Sequence, residues 1–333
     1  SSKTVNAPVR MNIRFVKDEI LYDYSLSFDS NKVLSESLYH YPKGHKSKVF
    51  VRTGQEFEFT KAVKHEMGPL AKATSKNSTY LAVASRLNNE ICIKAHQGIT
   101  QDIIFVQCDG EKLFGPVTRM MSENPVAKEL MVKALRISDF GISDIECKLE
   151  DREASDSSND KLIETLKKTT PFEKYKVVTP RVWMKHDLES SGVDEEASLF
   201  PIHIESKGTR QMFYFMGPII DALLNGKTII IDEFGSYFHS DISRWIISQF
   251  KSDSNPKGAQ IIVNTHDQML MDTDILFRRD QILFTQKNSS DGSSELYSLS
   301  DYKGVRKDTD IQKNYSIGRY EAVPFISPGD LIQ

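Results

Sequence analysis

Hydrophobic and polar residues alternate through the first part of the chain. Val9, Met11, Ile13 and Phe15 are separated by polar residues, and after a charged turn at Lys17-Asp18 the same rhythm returns at Ile20, Tyr22, Tyr24, Leu26 and Phe28. Ser37 to Tyr41, Lys48 to Arg52 and Glu56 to Phe59 continue it. Period-two alternation between short polar turns predicts an antiparallel meander with one buried face. The middle of the chain turns helical. Ser78 is placed to cap a helix running to Leu87, and residues 127–137 carry an apolar stripe at helical spacing. Residues 150–170 are the most polar stretch and read as a solvated loop or helix tip, and Tyr175 to Met184 returns to β character. The last third predicts a helix from Thr209 to Leu224, a strand from Lys227 to Ile231, a helix from Asp241 to Phe250, and strands at Gln260 to Asn264, Gln281 to Thr285 and Glu295 to Leu299. Near-continuously apolar strands alternating with helices predict a parallel sheet covered on both faces. No internal repeat is present.

Composition narrows the classes. A chain of 333 residues suggests about two domains. With 43 Lys and Arg against 46 Asp and Glu, the net charge of −3 argues against a nonspecific nucleic-acid coat. The cluster Lys43, His45, Lys46 and Lys48 and the pair Arg278-Arg279 read as solvated surface. Cys92, Cys108 and Cys147 are odd in number and lack a Cys-x-x-Cys spacing, which argues against a disulfide framework or a structural zinc site. No apolar run approaches the ~18 residues of a membrane span, and the N-terminal stretch lacks a secretory layout, so a cytoplasmic location is expected and no membrane partner.

The chemistry concentrates late. Thr228-Ile229-Ile230-Ile231-Asp232-Glu233 is an apolar strand ending in two carboxylates, the Walker B pattern. In an open α/β sheet such a strand end faces the ligand crevice. Asp232 is a candidate Mg²⁺ ligand, and Glu233 a candidate base that orients and deprotonates an attacking water. A second apolar strand ends in Asn264-Thr265-His266-Asp267, where His266 can contact a γ-phosphate. Upstream, Glu205-Ser206-Lys207-Gly208-Thr209 opens a helix, and free amides plus the helix dipole favour an anion there. Each element alone has a structural reading: a strand exiting into a charged loop, a core histidine, an ordinary N-cap.

Taken in order, Glu-Ser-x-Gly-Thr, helix, Walker B and Thr-His-Asp resemble the signature, Walker B and switch histidine of ABC-type ATPases. The closer likeness is to the AAA_21/AAA_15 group of prokaryotic ABC-like ATPases, which includes the ATPase subunits of AbiL and Rlo type phage-resistance systems. Further resembling strings are Leu38-Tyr39-His40-Tyr41-Pro42-Lys43-Gly44, Arg278-Arg279-Asp280-Gln281-Ile282, Glu295 to Asp301 and Gly318-Arg319-Tyr320. The resemblance implies that Asp232 positions Mg²⁺, that Glu233 is the catalytic base and His266 the switch. It also implies that Ser206 and Gly208 contact ATP bound to the opposite subunit of a homodimer. By the same resemblance the ATPase regulates a separate effector, such as a nuclease, in anti-phage defence. The sequence departs from relatives at Gly235 and Ser240, which stand where Asp and Pro are common, while His239 is retained.

A P-loop, Gly-x-x-x-x-Gly-Lys-Ser/Thr between a strand and a helix, is expected ahead of these motifs. Gly226-Lys227-Thr228 follows a helix and precedes a strand, the reverse order, and Gly44-His45-Lys46-Ser47 lies in the meander. Neither qualifies. The resemblance puts the P-loop near the N-terminus, and the chain opens on Ser1 without Met. The expectation is therefore that a P-loop segment is missing from this chain, which alone binds Mg-ATP weakly or not at all. The expected fold is an α/β ABC-type P-loop NTPase core with an early antiparallel β portion, a late parallel sheet and a helical insertion. Its divisions are residues 1–87, a helical insertion or lid over 88–175, and a C-terminal lobe over 176–333. A regulatory or scaffold module without hydrolysis is the alternative. A nuclease with an appended Toprim domain is disfavoured, because the chain stops at Gln333, soon after the ATPase-like region.

Overall fold

The alternating N-terminal segment forms β1 (Val9–Lys17), β2 (Ile20–Phe28), β3 (Val33–His40), β4 (Ser47–Thr53) and β5 (Glu56–Phe59), each antiparallel to its chain neighbour. The computed structural model describes residues 7–61, 63–107, 110–138, 141–153, 176–186, 198–253, 255–305 and 309–323. Lys17 pairs with Ile20, so Asp18 and Glu19 form a two-residue turn in which both have positive φ, the geometry of a type I′ hairpin. Register aligns Ile13, Tyr24, Leu38, Phe50 and Phe59 in one row across the sheet. That face is covered by α1 (Lys64–Lys72), α2 (Tyr80–Arg86) and α3 (Glu90–Thr100), which contribute Met67, Tyr80, Ala84, Cys92 and Ala95 to the core.

The same face also carries a buried ion pair. Glu36 and Arg52 sit opposite one another on β3 and β4, 1% and 0% exposed. The Tyr80 and Leu81 amides donate to the Glu36 carboxylate at 2.6 and 2.9 Å, and the Tyr24 hydroxyl donates at 3.0 Å. Arg52 donates to Glu36 at 3.5 Å and to the carbonyls of Ser78, Ser75 and Gly54 at 2.7, 3.2 and 2.8 Å. Glu36 therefore satisfies the first two open amides of α2. The predicted cap at Ser78 is not used: Thr79 occupies the cap position and makes no side-chain cap bond. Burial pushes the Glu36 carboxyl above its ordinary value, against the pull of the two amides, Tyr24 and Arg52.

Contacts divide the chain into two units, residues 1–103 with 273–333, and residues 104–272. The boundaries expected at 87/88 and 175/176 do not coincide with these. Segment 88–175 is not simply helical. Besides α4 (Phe114–Glu123) and α5 (Pro125–Ile137), it supplies β6 (Ile103–Val106) and β7 (Ile142–Glu153). β7 pairs antiparallel with β8 (Lys176–His186), which pairs with β9 (Leu199–Pro201). Of the polar stretch 150–170 expected to be a solvated loop or helix tip, residues 150–153 instead close β7, paired with β8, and the rest lies outside the described residues. Cys108 also lies outside them, and Cys92 and Cys147 are free.

α6 (Lys207–Asn225) buries an unbroken run from Gln211 to Ile220. It crosses α4 so closely that a Cβ at Gly217 would lie 2.3 Å from the Val117 side chain. β10 (Thr228–Ile231) pairs parallel with β11 (Gln260–Val263), with β6 on the other side of β10 and α7 (Ser240–Gln249) between the two strands in sequence. The expected late parallel sheet is thus small among the described residues: three strands in the order β11-β10-β6, with β10 and β11 parallel. Its covering is one-sided at the edge: Ile229 and Ile231 are buried, but Ile262 is 55% exposed. The two later strands form a separate antiparallel hairpin, β12 (Leu283–Lys287) and β13 (Ser294–Ser298), and a short 3-10 turn at residues 279–281 precedes the first of them. One face of this hairpin packs Phe284 and Tyr297 against Tyr315 and Tyr320, the former on α8 (Ile311–Ser316). The Tyr297 and Tyr302 hydroxyls both donate to the Tyr320 carbonyl. No helix among the described residues is long and apolar enough to cross a membrane.

Breaking a buried pair leaves an uncompensated charge, which costs about 3–5 kcal/mol. Arg52→Leu is therefore expected to lower unfolding stability by about that amount in a denaturant titration. A loss below about 1 kcal/mol, the worth of an exposed pair, would show that Arg52 does not hold this network.

Candidate functional site

β10 ends because the chain turns sharply at residues 232–235. Glu233 has a left-handed backbone (φ 53°) and so does Gly235 (φ 87°). The turn is pinned on both sides. The Asp232 amide donates to the Val106 carbonyl of β6 at 3.0 Å, and the Phe234 amide donates to the Asn264 carbonyl at 2.8 Å. The Asn264 amide in turn donates to the Ile231 carbonyl at 3.0 Å. Phe234 is buried at 2% exposure and anchors the turn inward, and the Glu233 side chain is exposed. A left-handed conformation costs a non-glycine residue about 1–2 kcal/mol. The flanking hydrogen bonds, each contributing about 1 kcal/mol, hold Glu233 in it.

The carboxylates differ in their partners. The Asn264 side-chain amide donates to Asp232 Oδ1 at 2.8 Å, and Oδ2 has no protein partner among the described residues. Asp232 is thereby oriented with one oxygen open. Glu233 accepts no hydrogen bond on its carboxylate among the described residues, and its carbonyl accepts from the Ser236 amide and hydroxyl at 3.3 and 2.8 Å. No group of three or more His, Cys, Asp or Glu that could hold a metal occurs among the described residues. A phosphate-bound Mg²⁺ does not need one, since it takes only one or two carboxylates and completes its shell with water and substrate oxygens. Asp232, with its free Oδ2, fits that lesser requirement.

His266 follows Asn264 and Thr265 at the end of β11. The Thr265 hydroxyl donates to the Phe234 carbonyl at 2.7 Å and accepts from the Asp267 amide at 3.0 Å. Asp267 caps the next short turn by accepting from the Met269 amide. Arg244 of α7 donates to the Met269 carbonyl and to Asp272 at 3.0 and 2.6 Å. The backbone around His266 is thus fixed, while its exposed ring makes no hydrogen bond among the described residues. Asp232, Glu233 and His266 are brought to one strand-end edge.

Ser206 and Gly208 are placed differently. The Ser206 hydroxyl caps α6, accepting from the Thr209 amide at 3.1 Å and sharing a 2.8 Å bond with the Thr209 hydroxyl. No hydrogen bond joins Ser206 or Gly208 to Asp232, Glu233 or His266 among the described residues. Toward that edge, the Lys207 ammonium lies 4.5 Å from the ring centre of Tyr237, four residues after Glu233. Farther along α6, Phe215 meets Phe238 edge-on at 5.9 Å. The retained His239 caps α7, its Nδ1 accepting from the Asp241 amide at 3.3 Å.

Gly235 has a physical reason for departing from an acidic residue. Its φ is left-handed, and a Cβ there would meet the Ser243 hydroxyl oxygen at 3.0 Å. Ser243 is fully buried and its hydroxyl has no hydrogen-bond partner among the described residues. The P-loop lookalikes are also accounted for. Gly226 is the left-handed C-cap of α6, and Lys227 pairs with Asp221 at 2.8 Å. Lys46 lies over the Tyr39 ring at 4.1 Å, and Ser47 begins β4. The other basic residues are similarly engaged: Lys48 with Glu58, Arg278 with Asp280, and Arg279 with the Val305 carbonyl.

Residues 145–272 match the family model AAA_21, described as AAA domain, putative AbiEii toxin, Type IV TA system. The match takes in Ser206, Gly208, Asp232, Glu233 and His266 and leaves β1 to β5 outside. It likens this segment to a P-loop ATPase-type module. No curated protein matches the chain.

Asn264 is the site residue that motif reading missed. The signal was available in principle: continuing the parallel register Ile231–Val263 by one residue sets Asp232 opposite Asn264. Two substitutions probe the turn. Gly235→Ala is expected to destabilise the protein by about 1–2 kcal/mol from backbone strain alone. Glu233→Gly removes the strain at the cost of glycine's entropy, so it is expected to unfold at an equal or higher denaturant midpoint. A clear loss of stability in Glu233→Gly would contradict the strained-turn geometry.

Proposed function

We propose that the chain carries the hydrolytic edge of an ABC-like ATPase. The observation that carries this reading is the Asp232–Glu233 pair at the end of a parallel strand, with Asp232 oriented by Asn264 and Glu233 held in an exposed, left-handed turn. The AAA_21 match over the same residues supports it. In this reading Asp232 holds Mg²⁺, directly or through water, by its open oxygen. The bound ion neutralises phosphate charge as it develops. Glu233, unencumbered by protein partners, orients a water against the γ-phosphate and takes its proton. The free imidazole of His266 contacts the γ-phosphate from the neighbouring strand end.

The proposal extends to assembly. The first turn of α6 supplies Ser206 and Gly208 to ATP held by the opposite subunit of a homodimer. That assignment agrees with the lack of a bond between these residues and the Asp232 edge of their own subunit. The family description speaks of a putative toxin of a type IV toxin–antitoxin system. On that basis we include regulation of a separate effector in anti-phage defence, in a cytoplasmic setting.

A second reading is a regulatory or scaffold module of ATPase ancestry without hydrolysis. What favours it is the use of Gly226-Lys227-Thr228 as a helix C-cap, a Lys–Asp pair and a strand start, none of which cradles phosphate. Phosphate release by the full-length protein separates the two. Glu233→Gln is expected to lower turnover by about 100-fold or more while ATP stays bound, because a positioned base contributes about that much. Turnover equal to the unsubstituted protein would remove Glu233 from the catalytic role. Absence of hydrolysis in both would favour the scaffold.

A further inference from the structure

Within the unit formed by residues 104–272 lies a groove of about 450 Å³, walled by β8, the start of α4, the end of β9 and α6. None of its lining residues belongs to the Asp232–Glu233 edge. Its walls are aromatic: Trp183 from β8, Phe114 from α4, and Tyr214 from α6, with the last two rings edge-on at 6.2 Å. Three cationic or titratable nitrogen side chains join them, Arg181, Arg210 and His203.

These groups are not all spent on the protein. Arg181 is paired with Glu150 at 2.6 Å. The Arg210 guanidinium has no hydrogen-bond or ion-pair partner among the described residues, in contrast to Arg14, Arg52, Arg181 and Arg244, each of which has one. Tyr214 is 7% exposed, yet its hydroxyl makes no hydrogen bond among the described residues. Burial pushes that phenol above its ordinary value, with Arg210 lowering it and Glu111 raising it, so it remains a protonated donor at neutral pH. Glu111 also lines the groove and supplies an acceptor.

We propose that this groove binds a nucleoside phosphate, its base against the aromatic walls and its phosphate on Arg210. Sites for small ligands commonly span roughly 300–1,000 Å³ and combine apolar walls with a few polar groups. Base stacking on aromatic side chains beside an arginine is the recurring way of holding nucleotides irrespective of sequence. Arg210 suits the phosphate because a planar guanidinium forms paired bonds to its oxygens. Glu111 can accept from an exocyclic amine of the base and disfavours a bare polyanion. The nucleotide comes either free or as part of a single strand; the contacts are the same. The groove requires neither Mg²⁺ nor a triphosphate, and the proposal stands apart from ATP hydrolysis.

Isothermal titration in EDTA tests it, with AMP, GMP, inorganic phosphate and a ten-residue thymidine oligonucleotide as probes. A mononucleotide or the oligonucleotide is expected to bind, and Arg210→Ala to weaken that binding about tenfold or more, the worth of a charge-assisted bond. Tyr214→Phe, which keeps the ring and the packing, is expected to weaken it about threefold or more. Oligonucleotide affinity well above that of AMP and GMP assigns the strand as source, and comparable affinity assigns the free nucleotide. No binding of any nucleotide probe, unchanged affinity in both variants, or inorganic phosphate binding as tightly as AMP would overturn the proposal.

Discussion

The strand-end edge depends on Asn264. Its amide donates to Ile231, its carbonyl accepts from Phe234, and its side-chain amide donates to Asp232. One residue of β11's exit thereby closes the parallel register, fixes the turn that holds Glu233, and aims Asp232. From the other side of β10, the Val106 carbonyl of β6 receives the Asp232 amide. The turn is caught between two strand ends, which is why an exposed glutamate can be kept in a conformation it would not choose alone. Thr265 and Asp267 carry the same control past His266, fixing the backbone and leaving the ring free.

The meander shows a parallel logic with a different outcome. Glu36 and Arg52 are core-facing charges that together satisfy helix amides and loop carbonyls from residues far away in sequence. Isolated, either would be costly to bury; joined, they lock α2 onto the sheet at one place. At the Asp232 edge the polar groups are deliberately left open instead. The contrast separates a polar cluster that is closed upon itself from one in which Asp232 Oδ2, the Glu233 carboxylate and the His266 imidazole are left without protein partners among the described residues.

Much of the fold was legible because its signals are local. Period-two alternation located β1, β2, β4 and β5, and the helical stripe located α5. β3 was read only from Ser37, although it begins at Val33 and its charged Glu36 faces the core. β6 was absorbed into an expected helical insertion, since a four-residue apolar strand carries too little pattern to stand out. β12 and β13 looked like further members of the parallel sheet because apolar runs do not reveal their partners. The placement of Asp232, Glu233 and His266 at the ends of adjacent strands was legible from the sequence. Asn264 was not, because its role arises only when β10 and β11 lie side by side. Gly235 read as a departure, and the space beside Ser243 explains it.

The positions of the metal and the nucleotide relative to Asp232 and Glu233 decide whether this edge is hydrolytic. Crystals of the full-length protein grown with Mn²⁺ and a slowly hydrolysed ATP analogue would place the ion by anomalous scattering. The account predicts a peak about 2 Å from the Asp232 carboxylate, or about 4 Å if one water intervenes, with the γ-phosphate facing Glu233 and His266. Metal and nucleotide bound together elsewhere, with Asp232 and Glu233 touching neither, would contradict it.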